Sequence, residues 1–361
     1  MKRLTVYVLP LLLLLTACGA PADPDTAQES IQVIAMDTAM LISTYGEQSV
    51  PAAYAAEDCI RALEAELSRT DPGSEVSRLN AAGGETAEVG EDLYFLLETA
   101  KYLSHDTAGA FDITVSPVAS AWGFGEDSFR VPSQAELDAL LELVDYEQIN
   151  FNAPPPHSGS SDLPLTACLG PGQSVDLGAI AKGYAADKLV TVFQEHDVPR
   201  GLAQLGGNVL AYGDRPDGTP WRVGIQDPAK PDDKNAFAGV LELTDSFAVT
   251  SGGYQRYFEE NGKRYHHIID PATGYPADSG LTSVTVVAKA GEGYAGTMCD
   301  AFSTALFVMG EETALDFWRT WEGTPFELVL VTEDGRVVVT QGLADRFTLD
   351  EASGYAYEAV S

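Results

Sequence analysis

The chain has 361 residues, and its 21 Lys and Arg stand against 54 Asp and Glu, which gives a formal net charge of −33. This length suits one large or two smaller domains with a sizeable core. An apolar content of 45% argues against a disordered protein. The negative charge repels phosphate backbones and anionic lipid headgroups, which argues against nucleic-acid binding. A small phosphorylated ligand stays compatible, because a metal ion or a helix N-terminus supplies local positive potential.

The N-terminus predicts an exported protein. A basic start, Met1–Arg3, precedes an almost wholly apolar run at residues 4–15. This run is shorter than the roughly 20 residues that span a bilayer, so residues 1–17 are interpreted as a signal peptide. The following Leu-Thr-Ala-Cys-Gly sequence resembles the lipobox of bacterial lipoproteins, in which the Cys is acylated; an ordinary secretory signal is the alternative. We therefore expect lipidation at Cys18 and anchoring at the extracytoplasmic face of the cell membrane.

Residues 18–30 lack apolar periodicity and predict a flexible tether, so that residues 31–361 form the folded domain. Three further cysteines, Cys59, Cys168 and Cys299, have no metal-binding spacing. A disulfide between two of them stays open, without a basis for choosing the pair.

Along this domain, patterns of helices and strands follow one another without regular βαβ alternation, which predicts an α+β fold. Ile31–Tyr45 favours a strand or hairpin, and residues 152–174, rich in Pro, Ser and Gly, favour an exposed insertion. Helices are predicted at Pro51–Ser68, Glu91–His105, Ser133–Leu143 (with a capping box at Glu136), Gly178–Glu195 and Asp300–Met309. Further strands are predicted at Val209–Tyr212, Trp221–Ile225, Val240–Leu243, Phe247–Thr250, Tyr265–Ile269, Thr282–Ala288 and Glu327–Val331.

Two glycine-containing segments are candidates for close approach of a ligand. Val175–Tyr184 leads from a short strand through a carboxylate and small residues into a helix with Lys182. Helix N–H groups and a lysine bind phosphate oxygens, but a tight strand-to-helix turn explains the pattern equally well. Gln204–Val209 contains a Gly pair, typical of a bulge or of close backbone approach.

Two other segments carry chemistry-bearing side chains. His266 and His267 precede an Asp-Pro-Ala-Thr-Gly turn, and on a strand only one of them faces a given site. Asp300 and Thr304 lie at i and i+4 of a predicted helix, so their oxygens share one face. Such oxygens suit Mg²⁺, although Asp300 could instead be a helix N-cap.

Taken together, these four segments resemble, in order, the motifs of the ApbE family of FAD:protein FMN transferases (flavin transferases). The resemblance extends over about residues 33–310. Further matching blocks are Ala35–Thr38, Leu67–Thr70, Ser74–Asn80, Thr107–Pro117, Trp122–Gly125 and Val249–Gly252.

The resemblance implies an α+β body that binds FAD in a cleft, with Mg²⁺ at the diphosphate. Contacts to FAD are implied for Met36, Ala110, Phe111, Asp112, Asp176, Lys182 and Ile268. A metal shell is implied for the Ala179 carbonyl, Asp300, Ser303 and Thr304. His267 is implied as the general base, and Asp300 joins it as the second catalytic residue.

Two positions depart from the family pattern. Thr70 stands where relatives often have a Tyr that stacks on the flavin, and Asp37 replaces the common Gly of a Met-Gly-Thr turn. The first departure removes the ring that stacks on the flavin, and the second concerns how the Met36 turn is held.

The implied reaction is a metal-assisted transfer of FMN from FAD to a Ser or Thr hydroxyl of a target protein, with release of AMP. The implied acceptors are membrane-associated redox flavoproteins. A base at His267 must be neutral near pH 7, which an ordinary pKa near ~6.5 allows. Two alternatives use the same cleft: a lipoprotein that only binds FAD, and a pyrophosphatase that hydrolyses FAD to FMN and AMP.

Overall fold

The computed structural model describes residues 27–125, 128–151 and 164–361. The predicted signal peptide, the acylated Cys18, most of the tether and the first part of the predicted insertion lie outside these residues. Within them, no helix combines the length and the apolar character that crossing a membrane requires.

Eight α-helices form in the described part of the chain. They are α1 (Ser49–Leu67), α2 (Glu75–Ala81), α3 (Glu91–Asp106), α4 (Ser116–Ala121), α5 (Gln134–Leu141), α6 (Ala181–Glu195), α7 (Ala295–Met309) and α8 (Glu311–Thr320).

The described strands are β1 (Gln28–Ala35), β2 (Thr38–Tyr45), β3 (Ala87–Glu88), β4 (Asn150–Phe151), β5 (Thr166–Cys168), β6 (Arg200–Leu205), β7 (Asn208–Tyr212), β8 (Trp221–Gln226), β9 (Phe237–Leu243), β10 (Ser246–Gly252), β11 (Tyr257–Glu260), β12 (Lys263–His266), β13 (Leu281–Lys289), β14 (Phe326–Thr332), β15 (Arg336–Thr340), β16 (Phe347–Leu349) and β17 (Ala356–Val360). This mixture of sheets and helices confirms the predicted α+β class.

A nine-stranded sheet organises the molecule, in the order β1-β2-β6-β7-β10-β13-β14-β15-β17. Helices α1, α6 and α7 cover one face and form the main core with it. A small sheet of order β16-β9-β8 covers the other face. Successive strand residues point to opposite faces, so in β10 Phe247 and Val249 join the helix side while Ala248 joins the second core.

Most predicted elements form, with shifted ends. The N-terminal hairpin forms as β1 and β2, and β1 begins at Gln28, three residues before the predicted start. Ser133 caps α5 as predicted, since its Oγ accepts a hydrogen bond from the Glu136 N–H at 3.3 Å. The capping box is only half formed, because the Glu136 carboxylate instead pairs with Arg130.

Four predictions need correction. Helix α6 begins at Ala181 instead of Gly178, and β12 ends at His266, so that His267 lies beyond the strand. The region predicted as an exposed insertion contains a strand, β5, whose Ala167 is fully buried. This short strand pairs with β3 and β4, and the partners are remote in sequence.

Helix α7 begins at Ala295, five residues before the predicted start, so Asp300 is inside the helix and does not cap it. The cap comes from α6: Asp187 accepts hydrogen bonds from the N–H groups of Gly296 (2.9 Å) and Thr297 (2.7 Å). A capping residue more than 100 positions away leaves no local signal for the start of the helix.

The three cysteines in the described residues, Cys59, Cys168 and Cys299, are free thiols. Cys299 is fully buried in α7, and Cys59 packs against the main core from α1. The disulfide left open by the sequence does not form among them.

Candidate functional site

A large cavity of about 1020 Å³ opens between the N-terminal end of α6, the middle of α7, the β1–β2 turn and the loops around His267. It is lined by nearly all residues implied by the resemblance. These are Met36, Ala110, Phe111, Asp112, Asp176, Ala179, Lys182, His267, Ile268, Asp300 and Thr304. Residues spread over more than 260 positions of the chain thus meet at one site, whereas Ser303 does not line the cavity.

Asp300 presents its carboxylate at one end of this cavity. Its Oδ2 accepts a hydrogen bond of 2.8 Å from the Gly183 N–H in the first turn of α6. The Lys182 ammonium lies 3.8 Å from the same oxygen and donates to the Gly178 carbonyl at 2.6 Å. Gly183 is required here, because a Cβ would overlap the Gly296 carbonyl oxygen and approach the Asp300 Cβ to 2.7 Å.

A chain of hydroxyl groups continues from Asp300. Ser303 Oγ donates to the backbone carbonyl of Asp300 at 2.8 Å, since a carbonyl oxygen only accepts. Ser303 Oγ then accepts from Ser251 Oγ at 2.8 Å, and Ser251 accepts from Thr304 Oγ1 at 3.2 Å. This order leaves the lone pairs of Thr304 free toward the cavity, while Ser303 is fully buried.

This donor set fits Mg²⁺. Asp300, Thr304 and Ala179 line the same cavity, and a carboxylate, a hydroxyl and a backbone carbonyl are all hard oxygen ligands of the kind that Mg²⁺ prefers. No group of three or more His, Cys, Asp or Glu in residues 27–125, 128–151 and 164–361 could hold a metal by itself. A metal here would therefore depend on neutral oxygens and on phosphates of a bound ligand.

His267 and His266 have different hydrogen-bond environments. His266 uses both ring nitrogens, because Nε2 donates to the Ala277 carbonyl at 3.0 Å and Nδ1 accepts from the Ile268 N–H at 3.3 Å. His267 lines the cavity, and its Nδ1 donates to the Arg256 carbonyl at 3.2 Å. This bond fixes the proton on Nδ1 and leaves the lone pair of the His267 Nε2 available.

Desolvation and the neighbouring Arg256 guanidinium lower the pKa of His267 to about 3. The expectation of an ordinary pKa is therefore corrected downward, while the neutral form expected near pH 7 is retained.

Two further carboxylates of the cavity wall, Asp112 and Asp176, mainly hold loops. Asp112 is buried and accepts hydrogen bonds from the Thr114 N–H (2.8 Å) and the Tyr146 N–H (3.1 Å). Burial raises the pKa of Asp112 above its usual range. Asp176 forms an ion pair of 2.9 Å with the Nε of Arg69. The Nη2 of the same arginine donates to the Phe124 carbonyl at 2.9 Å.

The chain matches the ApbE family over residues 36–326. The chain belongs to the ApbE family. It is 33% identical over 350 residues to the FAD:protein FMN transferase of Treponema pallidum, covering 93% of this chain and 92% of that protein. It is 31% identical to an FAD:protein FMN transferase of Klebsiella pneumoniae, covering 92% and 97%. The solved structure of the ApbE protein of Thermotoga maritima superposes with a TM-score of 0.78 at 30% identity, covering 88% and 98%.

The predicted family is thus confirmed for this ApbE protein, while the individual roles of its site residues stay predictions that the geometry supports. Arg69, Arg256, Ser251 and Asn208 also line the cavity but were not singled out as functional by the sequence. Three of them, Arg69, Ser251 and Asn208, lie inside the segments that resemble the family, and this position was the signal that could have identified them. No feature of the sequence pointed to Arg256.

The two departures from the family pattern also lie at the cavity. Thr70 lines it from an exposed position and offers no ring for stacking. Met36 and Asp37 form the β1–β2 turn with φ of 48° and 58°. Arg256 connects this turn to the His267 loop, since its Nη2 donates to the Asp37 carbonyl at 3.1 Å.

Proposed function

We propose that this ApbE-family protein transfers FMN from FAD to a Ser or Thr hydroxyl of an acceptor protein, with Mg²⁺ as the cofactor and AMP as the leaving product. FAD:protein FMN transferase is the activity named for its relatives. The observation that carries the proposal is a neutral His267 with an available Nε2 in the same cavity as Asp300, Thr304 and Lys182. The cavity volume is in the range of sites that enclose a ligand of this size.

Four cationic side chains line this cavity among five carboxylates, a far more even balance than in the strongly negative chain as a whole. Arg69, Lys182, Lys234 and Arg256 all line it. These cations favour binding of the FAD diphosphate, and the nearby N-terminus of α6 adds its dipole. Mg²⁺, held by Asp300, Thr304 and the carbonyl of Ala179, would offset negative charge on the diphosphate.

His267 acts as the base in this proposal. The acceptor hydroxyl oxygen forms a bond to the phosphorus of the FMN half, and the bond from that phosphorus to the bridging oxygen breaks. The bridging oxygen leaves with AMP, and the hydroxyl proton passes to Nε2 of His267. The hydrogen bond from Nδ1 to the Arg256 carbonyl orients the ring throughout.

The deciding experiment incubates the protein with FAD, Mg²⁺ and an acceptor flavoprotein, followed by mass spectrometry of the acceptor. We expect the acceptor to gain the mass of one phosphoester-linked FMN, and the gain to disappear with EDTA. An acceptor of unchanged mass with free FMN and AMP in solution would identify a pyrophosphatase. Unchanged acceptor and intact FAD would identify a flavin-binding protein.

We also propose that Cys18 carries a lipid anchor at the extracytoplasmic face of the membrane, where the cavity would reach membrane-held redox acceptors. The support is the lipobox-like sequence before Cys18 and the polar residues that follow it. Cys18→Ala should leave the precursor uncleaved or release the protein from the detergent phase. Cys59→Ala is the matched control, and equal partitioning of both variants with the wild type would refute the anchor.

A further inference from the structure

Asn208 is a buried polar residue whose amide has an unsatisfied donor. It is the first residue of β7 and is 2% exposed, and its Nδ2 is buried without a hydrogen-bond partner in the described residues. Most buried polar groups in folded proteins are paired, so an exception at a functional cavity needs an explanation. Asn208 lines the same cavity as Asp300 and Thr304.

The sheet places Asn208 at the Thr304 side of this cavity. In the β7–β10 pair, Asn208 lies opposite Val249, and Ser251 follows two residues later on the same face. Ser251 contacts Thr304 through its hydroxyl at 3.2 Å. The amide therefore lies near the hydroxyl chain that leads to Asp300, where the proposed function places the FAD diphosphate.

The residues before Asn208 keep this approach open. Gly206 and Gly207 have φ of 66° and 103°, values that side chains rarely adopt. A Cβ at Gly207 would lie 3.2 Å from the Thr250 carbonyl oxygen. The absence of side chains at both glycines leaves the first side chain of β7, that of Asn208, at the cavity wall.

We propose that the Asn208 amide donates a hydrogen bond to a phosphate oxygen of FAD, an inference that rests on the proposed function. A half-turn of the amide exchanges Nδ2 and Oδ1 without breaking a hydrogen bond, because Nδ2 has no partner and Oδ1 accepts no hydrogen bond within the described residues. The amide can thus present N–H to the cavity. A phosphate oxygen is the strongest acceptor class for such a donor. The hydrogen bond to the ligand would then use the N–H that faces the cavity, which has no partner in the free protein.

Asn208→Leu, which keeps the branching of the side chain, and Asn208→Asp, which keeps its size, test this assignment. We expect Asn208→Leu to raise the Kd for FAD about tenfold, the effect of one hydrogen bond to a charged group. The Kd for riboflavin, which has no phosphate, should stay unchanged. The melting temperature of the ligand-free protein should not fall, because an unsatisfied donor is replaced by an apolar group. Asn208→Asp should weaken FAD binding more than Leu does, because a carboxylate repels phosphate.

Three outcomes would overturn the proposal. An equal loss of riboflavin and FAD affinity in Asn208→Leu would place the amide against the flavin ring. FAD binding by Asn208→Asp that is tighter than that by Asn208→Leu in Mg²⁺ would indicate a metal ligand. A lower melting temperature with unchanged FAD affinity in both variants would indicate a purely structural residue.

Thr340→Val is the matched control for replacing a buried polar group. Thr340 lies on β15, and its hydroxyl accepts a hydrogen bond of 2.8 Å from the Leu328 N–H. Thr340 does not line the cavity. Its loss should lower the melting temperature and leave FAD affinity unchanged. Asn208→Ala, which adds no volume, carries the same expectations as Asn208→Leu if the latter is insoluble. A wild-type protein that binds FAD without flavinylating an acceptor would refute the proposed function and leave the test of Asn208 intact.

Discussion

Asp187 of α6 and Asp300 of α7 are reciprocal: each accepts hydrogen bonds from the first turn of the other residue's helix. Asp187 accepts from the N–H groups of Gly296 and Thr297, and Asp300 accepts from that of Gly183 at 2.8 Å. Only Asp300 also lines the cavity. Two carboxylates with similar local contacts can therefore be assigned different roles, structure for Asp187 and ligand binding for Asp300.

The first prediction concerns Asp300→Asn. The amide oxygen can still accept from Gly183, so the protein should fold with nearly the wild-type melting temperature. The lost charge removes the single carboxylate of the proposed metal shell, so Mg²⁺-dependent FMN transfer should fall sharply and recover in part at high Mg²⁺. A titration of transfer rate against Mg²⁺ measures this. Full activity in a well-folded Asp300→Asn protein would place the metal elsewhere.

Asp187→Ala is the control for this experiment. This substitution removes the carboxylate that caps the N-terminus of α7 and should destabilise the protein by about 2 kcal/mol. The Mg²⁺ dependence of the remaining folded protein should match the wild type. A shifted Mg²⁺ dependence in Asp187→Ala would show that the two carboxylates do not have separate roles.

The second prediction separates the adjacent histidines. His267→Ala should abolish FMN transfer and leave most FAD affinity, because it removes the only cavity-facing ring of the pair. His266→Ala should keep transfer and lower stability by about 1 kcal/mol, since it breaks the bond to the Ala277 carbonyl and the edge contact with Phe307. Acceptor mass and urea unfolding give both readouts. Equal loss of transfer in the two variants would contradict the assignment.

The third prediction is the pH dependence that follows from the low pKa of His267. With a pKa of about 3, the ring stays neutral from pH 8 down to about pH 5, so its titration should not reduce the transfer rate in that interval. The same group affects stability: below about pH 6.5 the unfolded chain takes up a proton that the folded chain does not. The free energy of unfolding should therefore fall with decreasing pH over that interval, less steeply in His267→Ala. A wild-type rate that halves near pH 6.5, together with the same pH dependence of the unfolding free energy in the wild type and His267→Ala, would indicate an ordinary pKa.

The order of motifs along the sequence predicted the family, the fold class and most of the cavity wall, because each motif carries its own local pattern. The predicted start of α7 was wrong because the residue that caps this helix, Asp187, belongs to another helix. In the loops, the predicted strand extended too far, since His267 lies beyond the end of β12. Arg256 was not predicted at all, because its role depends on a contact with a turn 219 positions away in the sequence. Ser303 shows that a motif does not give the direction of a side chain. The motif places it beside Thr304, but only the packed structure shows that its hydroxyl is hydrogen-bonded to the Asp300 carbonyl and to Ser251.

The fourth prediction tests the crossing of α6 and α7. Gly183→Ala should gain about 1 kcal/mol from helix propensity, but the new Cβ would overlap the backbone carbonyl of Gly296, which cannot rotate away. Overpacking typically costs about 1–3 kcal/mol, and a backbone partner favours the upper end, so we expect a net loss of stability. FAD affinity should also fall, because Gly183 holds Asp300. Thr191→Ala, at an exposed position of α6, is the control and should not destabilise the protein.

The fifth prediction concerns the β1–β2 turn beside the cavity. Met36 and Asp37 have φ of 48° and 58°, the conformation of a two-residue hairpin turn that favours Gly and tolerates Asp. Asp37→Gly should therefore be more stable than Asp37→Val by about 1–2 kcal/mol, since a β-branched residue resists this conformation. Asp37→Val should also weaken FAD binding by displacing Met36, whose N–H donates to Glu64 at 2.9 Å. Urea unfolding compares the two variants, with Gln32→Val on the exposed face of β1 as the control for adding Val to this hairpin. Equal stability of the Gly and Val variants would mean that the turn does not constrain the residue at position 37.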